Sequence, residues 1–176
     1  MKHYRMTFSA FCAALGTVFL SVGFFTQFAA AFWIFLGSLC VLLSLETGKI
    51  QYAILTYFVI VVLSLLFNGF NIVFLIPFVC FMGLCPMTYF EFTKFKLPKL
   101  LAYVIRQIWF IGSMIASAFF TTVFFGFNID NLDLEGLKTL GIITAICIPA
   151  FFFYNMGMIN FRIKFKLLLN YLKIKF

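Results

Sequence analysis

Apolar residues in this chain come in runs that approach the length of a membrane crossing, and only short polar stretches separate them. A helix needs about 20 predominantly apolar residues to cross a hydrocarbon core. The first run extends from about Met6 to Phe25, with Thr26-Gln27 as a minimal break. The second covers about Phe28 to Leu45 and ends at Glu46-Thr47-Gly48-Lys49. The third, Ile50 to Phe67, ends at Asn68-Gly69-Phe70-Asn71, a strong turn signal. The fourth, Ile72 to Phe90, carries Pro77 and Pro86 and gives way to the polar stretch Glu91 to Lys99. The fifth runs from about Leu100 to Phe125, and an acidic loop from Asn128 to Lys138 follows it. The sixth runs from about Thr139 to Phe161. Met6 to Leu45 is twice the length of one span, so a tight helical hairpin is expected there.

Composition leads the same way. A soluble domain of this size is typically about 25% charged. Here 10% of the 176 residues are charged and 65% are hydrophobic, too few charges to cover a surface facing water. The expected fold is an all-α polytopic membrane protein. Residues 1–161 form a bundle of six transmembrane helices, and residues 162–176 form a basic amphipathic tail. There is no Pro/Gly/Ser-rich linker and no internal repeat. Basic residues before an apolar run resemble a signal peptide, but Met6 to Phe25 is long enough to span and no clear cleavage site follows, so it reads as a retained helix.

Lys and Arg set the orientation, because short cytoplasmic loops are enriched in them. With the amino terminus inside, the inner segments hold Lys2, Arg5, Lys49, Lys94, Lys96, Lys99, Arg162, Lys164, Lys166, Lys173 and Lys175. The outer loops hold only Lys138, beside Asp130, Asp133 and Glu135. An odd helix count would put the acidic loop or the basic tail on the wrong side, so charge supports the even count and two cytoplasmic termini. The net charge of +8 follows from the same clustering and needs only topology and anionic lipid, with no nucleic acid as partner. In the tail, Lys and Arg alternate with Ile163, Phe165, Leu167 and Leu168. That pattern suits a helix lying in the cytoplasmic interface or a segment that binds a partner.

The chemistry expected of the chain is sparse. All five cysteines, Cys12, Cys40, Cys80, Cys85 and Cys147, lie in apolar runs without a CxxC, and His3 is the sole histidine. No metal site or cofactor is expected. No nucleophile and base pair, HExxH, paired helical carboxylates or phosphate-cradling Gly loop occurs, so no catalytic residue and no enzymatic activity is expected. Arg106 is the one ionisable residue inside a run, placed to snorkel towards the cytoplasmic headgroups or to meet a cytoplasmic partner.

Small residues collect in the first half of the first helix: Ser9, Ala10, Ala13, Ala14, Gly16 and Thr17. Ala10/Ala14 and Ala13/Thr17 are small-xxx-small pairs, which let another helix approach closely, within the bundle or from outside it. A second small face, Gly112, Ser113, Ala116 and Ser117, reads as internal packing. The remaining polar side chains gather on the outer side: Gln27, Asn68, Asn71, Asn128, Asp130, Asn131, Asp133, Glu135 and Lys138. They suit turns and caps, or the few placed polar groups of an outward-facing pocket. Phe24, Phe25, Phe28, Trp33, Phe70, Phe124, Phe125 and Phe127, at the same depth, suit an interfacial aromatic belt or the wall of such a pocket.

Six helices, cytoplasmic termini and the stretch Ala10-Phe11-Cys12-Ala13-Ala14 resemble the substrate-binding S component of energy-coupling factor transporters. Phe81-Met82-Gly83-Leu84-Cys85-Pro86, before a Glu and a basic loop, resembles clostridial-type members of that group. The resemblance covers the whole chain in length and topology. It implies a protein of the bacterial cytoplasmic membrane that captures a small micronutrient outside and topples to deliver it. It implies as partners a transmembrane coupling subunit and cytoplasmic ATPases, with Ala10 and Ala14 as the docking face. It places the substrate in the outer half, near Gln27, Asn68, Asn71, Asn128, Asp130 and Lys138, and the many Phe residues suggest an apolar or aromatic ligand. The competing reading is a non-catalytic structural or accessory membrane subunit that binds a partner protein.

Overall fold

The computed structural model describes residues 2–26, 29–46, 49–88, 98–124 and 134–171. Within them the chain is all-helical. The segments are α1 (Lys2–Thr26), α2 (Ala30–Leu45), α3 (Ile50–Phe67), α4 (Ile72–Thr88), α5 (Lys99–Phe124) and α6 (Leu134–Tyr171). This is the order and number of apolar helices expected from the runs. The expected hairpin at the start is present, with Ala29 in the left-handed region (φ 51). Its carbonyl accepts from Phe32 N and Trp33 N and so opens α2.

The α3–α4 connection shows how sequence terminates one helix and starts the next. Gly69 takes φ 60, which glycine adopts without a Cβ penalty. Phe70 N then reaches back to Leu65 O and Gly69 N to Leu66 O, the paired bonds of a Schellman motif. Asn71 follows as the N-cap of α4, its side-chain oxygen accepting from Phe74 N.

Helix lengths divide the bundle. Spans in α1, α3, α5 and α6 are long and apolar enough to cross a membrane. The shorter apolar helices are α2, with 16 residues, and α4. At about 1.5 Å per residue, α2 is about 24 Å long against a hydrocarbon core of about 30 Å. The 38 residues of α6 extend about 57 Å. That helix begins before the expected Thr139 and runs unbroken through Phe161-Arg162, so the basic segment continues α6 up to Tyr171 and no separate element begins at 162.

Packing inside the bundle depends on small residues and aromatic rings. Helices α1, α2 and α3 pack closely. A Cβ on Gly23 would lie 2.7 Å from Trp33 Cβ, and one on Gly37 would lie 3.3 Å from Leu20 Cγ. On the other side of α4, Phe81 is the hub of a buried aromatic cluster. Its ring centroid lies 4.8 Å from Phe110, 5.5 Å from Trp109, 5.7 Å from Tyr154 and 5.9 Å from Phe151. Edge-to-face and tilted pairs at these separations suit the ring quadrupole. Outside, Phe11, Phe32, Phe58, Ile108, Phe119 and Phe153 are all exposed. A bundle this apolar on its outside is compatible with an integral membrane protein, because lipid tails accept such a surface.

Candidate functional site

The centre of the molecule is organised by a break in α4. Pro86 has no N–H, so the Met82 carbonyl, four residues earlier, loses its normal helical donor. Phe78–Met82 is wound as a π-helix, with Gly83 N bonded to Phe78 O at 2.8 Å. That wide turn withdraws Gly83 N from the Val79 carbonyl, its partner in an α-helix. Buried carbonyls require partners, and neighbouring helices supply them. Tyr57 of α3 donates to Val79 O (2.9 Å). Ser38 of α2 and Tyr154 of α6 reach Met82 O at 2.5 and 3.1 Å, and their hydroxyl oxygens lie 2.8 Å apart. Thr88 donates to Cys85 O (2.7 Å). Gly83 lets Tyr57 approach, since a Cβ there would lie 2.7 Å from the ring. Such π-segments are rare and concentrate at functional sites.

Beside this network a cleft of about 330 Å³ opens between α2 and α6. Phe32 and Phe35 line one wall, Phe153 and Gly157 the other, and Met82 and Phe110 take part in the lining. Phe35 packs edge-on to Tyr154 (5.6 Å) and lies against Gly157, where a Cβ would sit 3.0 Å from its ring. The volume is at the small end of ligand pockets, which span about 300–1,000 Å³. Its lining is almost wholly apolar and aromatic, with Tyr154 as the polar side chain. Among the described residues no three of His, Cys, Asp and Glu come together.

The residues expected to bind substrate do not converge on this cleft. Asn68 is 2% exposed at the end of α3, and neither its amide nitrogen nor its oxygen has a hydrogen-bond partner. Ser64 Oγ, one turn earlier on the same helix, is also buried without a partner. Asn71 is exposed, and its side chain caps α4. Gln27, Asn128 and Asp130 lie outside the described residues, and Lys138 is placed in α6 without a described side chain. Phe25 and Phe70 are exposed, as an aromatic belt requires.

The small residues of α1 separate cleanly. Ala13 and Thr17 are buried inside the bundle, whereas Ala10 and Ala14 are exposed. On α5, Ser113 is buried and bonded to Phe110 O, but Gly112 faces open space, so that small face is only partly internal. Arg106 does not snorkel into the open. It is 7% exposed, and its Nε donates to Ala102 O one turn back.

Sequence reasoning did not single out Ser38 and Tyr154, although one signal was present. A proline inside an apolar run announces an orphan carbonyl four residues earlier, and a hydroxyl in a neighbouring run is the natural partner. The tail also forms an unforeseen contact. Glu46, at the end of α2, takes Arg162 Nε at 2.5 Å and Lys166 Nζ at 3.5 Å.

No protein-family model, curated protein or solved structure matches the chain.

Proposed function

We propose that the protein is a non-enzymatic, membrane-embedded substrate-binding subunit of an energy-coupling factor type uptake transporter in the bacterial cytoplasmic membrane. Outward-facing Ala10 and Ala14 carry this reading. The Ala13/Thr17 pair on the same helix is consumed by internal packing, so Ala10/Ala14 is left for a helix outside this chain. Close approach along small residues is a principal source of helix association in lipid, where no hydrophobic effect drives it. The aromatic cleft between α2 and α6 supports capture of a small apolar or aromatic micronutrient, with Tyr154 as its polar contact. The coupling subunit and ATPases supply the work, and delivery needs no catalytic group on this chain.

The test is co-purification with a coupling subunit. Ala10→Leu with Ala14→Leu abolishes recovery of the complex, while the exposed positions leave the isolated protein folded, since surface changes of this kind are within about 0.5 kcal/mol. Full recovery of the complex removes the docking role. Mass spectrometry of the purified chain reads the other half of the reading: a reproducible small molecule, lost on Ala150→Phe at an exposed position of the lining, supports capture in the cleft.

A further inference from the structure

The end of α2 meets the basic stretch of α6 through Glu46. We propose that Arg162 and Lys166, with the cleft beneath them, bind a single anionic phospholipid, its phosphate on the two cations and its acyl chain against the apolar walls. The cleft holds about 240 Å³ and is lined by Leu42, Met158, Ile159, Arg162, Ile163 and Lys166. Ile159 and Ile163 are spaced i, i+4 on α6, as are Arg162 and Lys166, so apolar and cationic side chains form neighbouring ridges. Leu42 of α2 closes the far wall.

The charge arrangement favours an anion despite the carboxylate in the cluster. Glu46 is nearly enclosed, with 8% of its side chain exposed, and it meets two cations, leaving an excess of one positive charge. It engages Arg162 through Nε, and the two terminal amino groups of the guanidinium carry four further N–H donors. Arg162 and Lys166 keep 25% and 52% of their side chains exposed, so both remain within reach of a ligand. Guanidinium matches phosphate with paired donors. Glu46 thus holds two long side chains in place before the ligand arrives. Inorganic phosphate would satisfy the cations and leave the apolar walls bare. A neutral lipid would do the reverse. An anionic phospholipid satisfies both.

The experiment uses the full chain in detergent and native mass spectrometry. It compares retention of phosphatidylglycerol, phosphatidylcholine with the same acyl chains, and glycerol phosphate. Phosphatidylglycerol is retained as one tightly held copy, about fivefold above phosphatidylcholine, from about 1 kcal/mol for the one positive charge that Glu46 leaves in excess. Lys166→Gln removes most of that preference while the Arg162–Glu46 pair keeps the helix ends together. Ile159→Trp fills the cleft at an exposed position, leaves every charge in place, and abolishes retention of the single copy. Equal retention of both lipids overturns the proposal. So does unchanged phosphatidylglycerol binding in Ile159→Trp, which would assign the effect to diffuse charge. Glycerol phosphate competing as well as the lipid would reduce the site to a free-anion site and overturn the lipid assignment.

Discussion

The two ends of the α1–α3 layer treat buried polar groups in opposite ways. At the end where α1 begins, Ser9, Ser44 and Thr56 are joined by hydrogen bonds. Ser9 and Ser44 hydroxyls lie 2.8 Å apart, and Thr56 donates to Ser44 at 2.9 Å, with Ser9 O at 3.3 Å. The Glu46 ion pairs lie just beyond. Arg5 Nε, on a half-buried side chain, is the exception there. At the opposite end, Ser64 and Asn68 on α3 and Ser21 on α1 have buried polar atoms with no hydrogen-bond partner. An unmet buried polar group costs about 1–3 kcal/mol, whereas a satisfied one contributes about 1. One end is therefore fastened by its polar groups, and the other carries buried polar groups that subtract from stability.

The largest expected effect comes from the fastened end. Arg162→Ala leaves Glu46 nearly enclosed with only the longer contact to Lys166. Removing one partner of a fully buried ion pair costs about 3–5 kcal/mol. Because Arg162 and Lys166 are partly exposed, about 2 kcal/mol is expected, read as a drop in thermal midpoint in detergent. Arg162→Ala with Glu46→Gln recovers most of the loss, since the carboxylate goes with its partner. An unchanged midpoint in the single variant would mean that this end is not fastened through its charges.

A smaller effect is expected from single substitutions at the π-helix, between the two ends. Ser38→Ala or Tyr154→Phe alone leaves one hydroxyl on the Met82 carbonyl and costs about 1 kcal/mol or less. The double variant orphans that carbonyl, so its loss exceeds the sum of the singles and reaches about 2–3 kcal/mol. A double-mutant cycle measures the excess. Strict additivity would show that the two hydroxyls do not share the carbonyl.

The contrast also marks how far the sequence was legible. Helix number and order follow from apolar runs because each run is one helix, and the described break between α3 and α4 is a local turn. Gly69 and Asn71 show this directly, since stop and start signals lie in four consecutive residues. The candidate site is less local. Which face of α1 turns inward decides that Ala13 and Thr17 are buried and Ala10 and Ala14 exposed, and no residue of α1 fixes that rotation alone. Ser38 and Tyr154 are 116 positions apart and meet because both answer one carbonyl. The polar outer residues read as a binding set included Asn71, whose side chain is engaged in capping, a role its place before an apolar run equally signals. Charge spacing on α6 suggested an amphipathic tail, yet the Glu46 contact across 116 positions is a tertiary fact.

A matched pair of substitutions on α3 tests the contrast by sign as well as by size. Thr56→Val is nearly isosteric and removes the donor to Ser44, so it destabilises by about 1 kcal/mol. Asn68→Leu is also close in size, but the carboxamide it removes has no hydrogen-bond partner. Exchanging an unsatisfied polar group for an apolar one of similar shape is neutral or favourable, so the thermal midpoint of Asn68→Leu rises or holds. Both residues are buried, Thr56 within α3 and Asn68 at its C-cap three turns on, so burial nearly cancels in the comparison. A fall in Asn68→Leu matching that of Thr56→Val would mean that the carboxamide is partnered. The two ends would then be alike, and the polar groups of α3 would fasten the helix along its whole length.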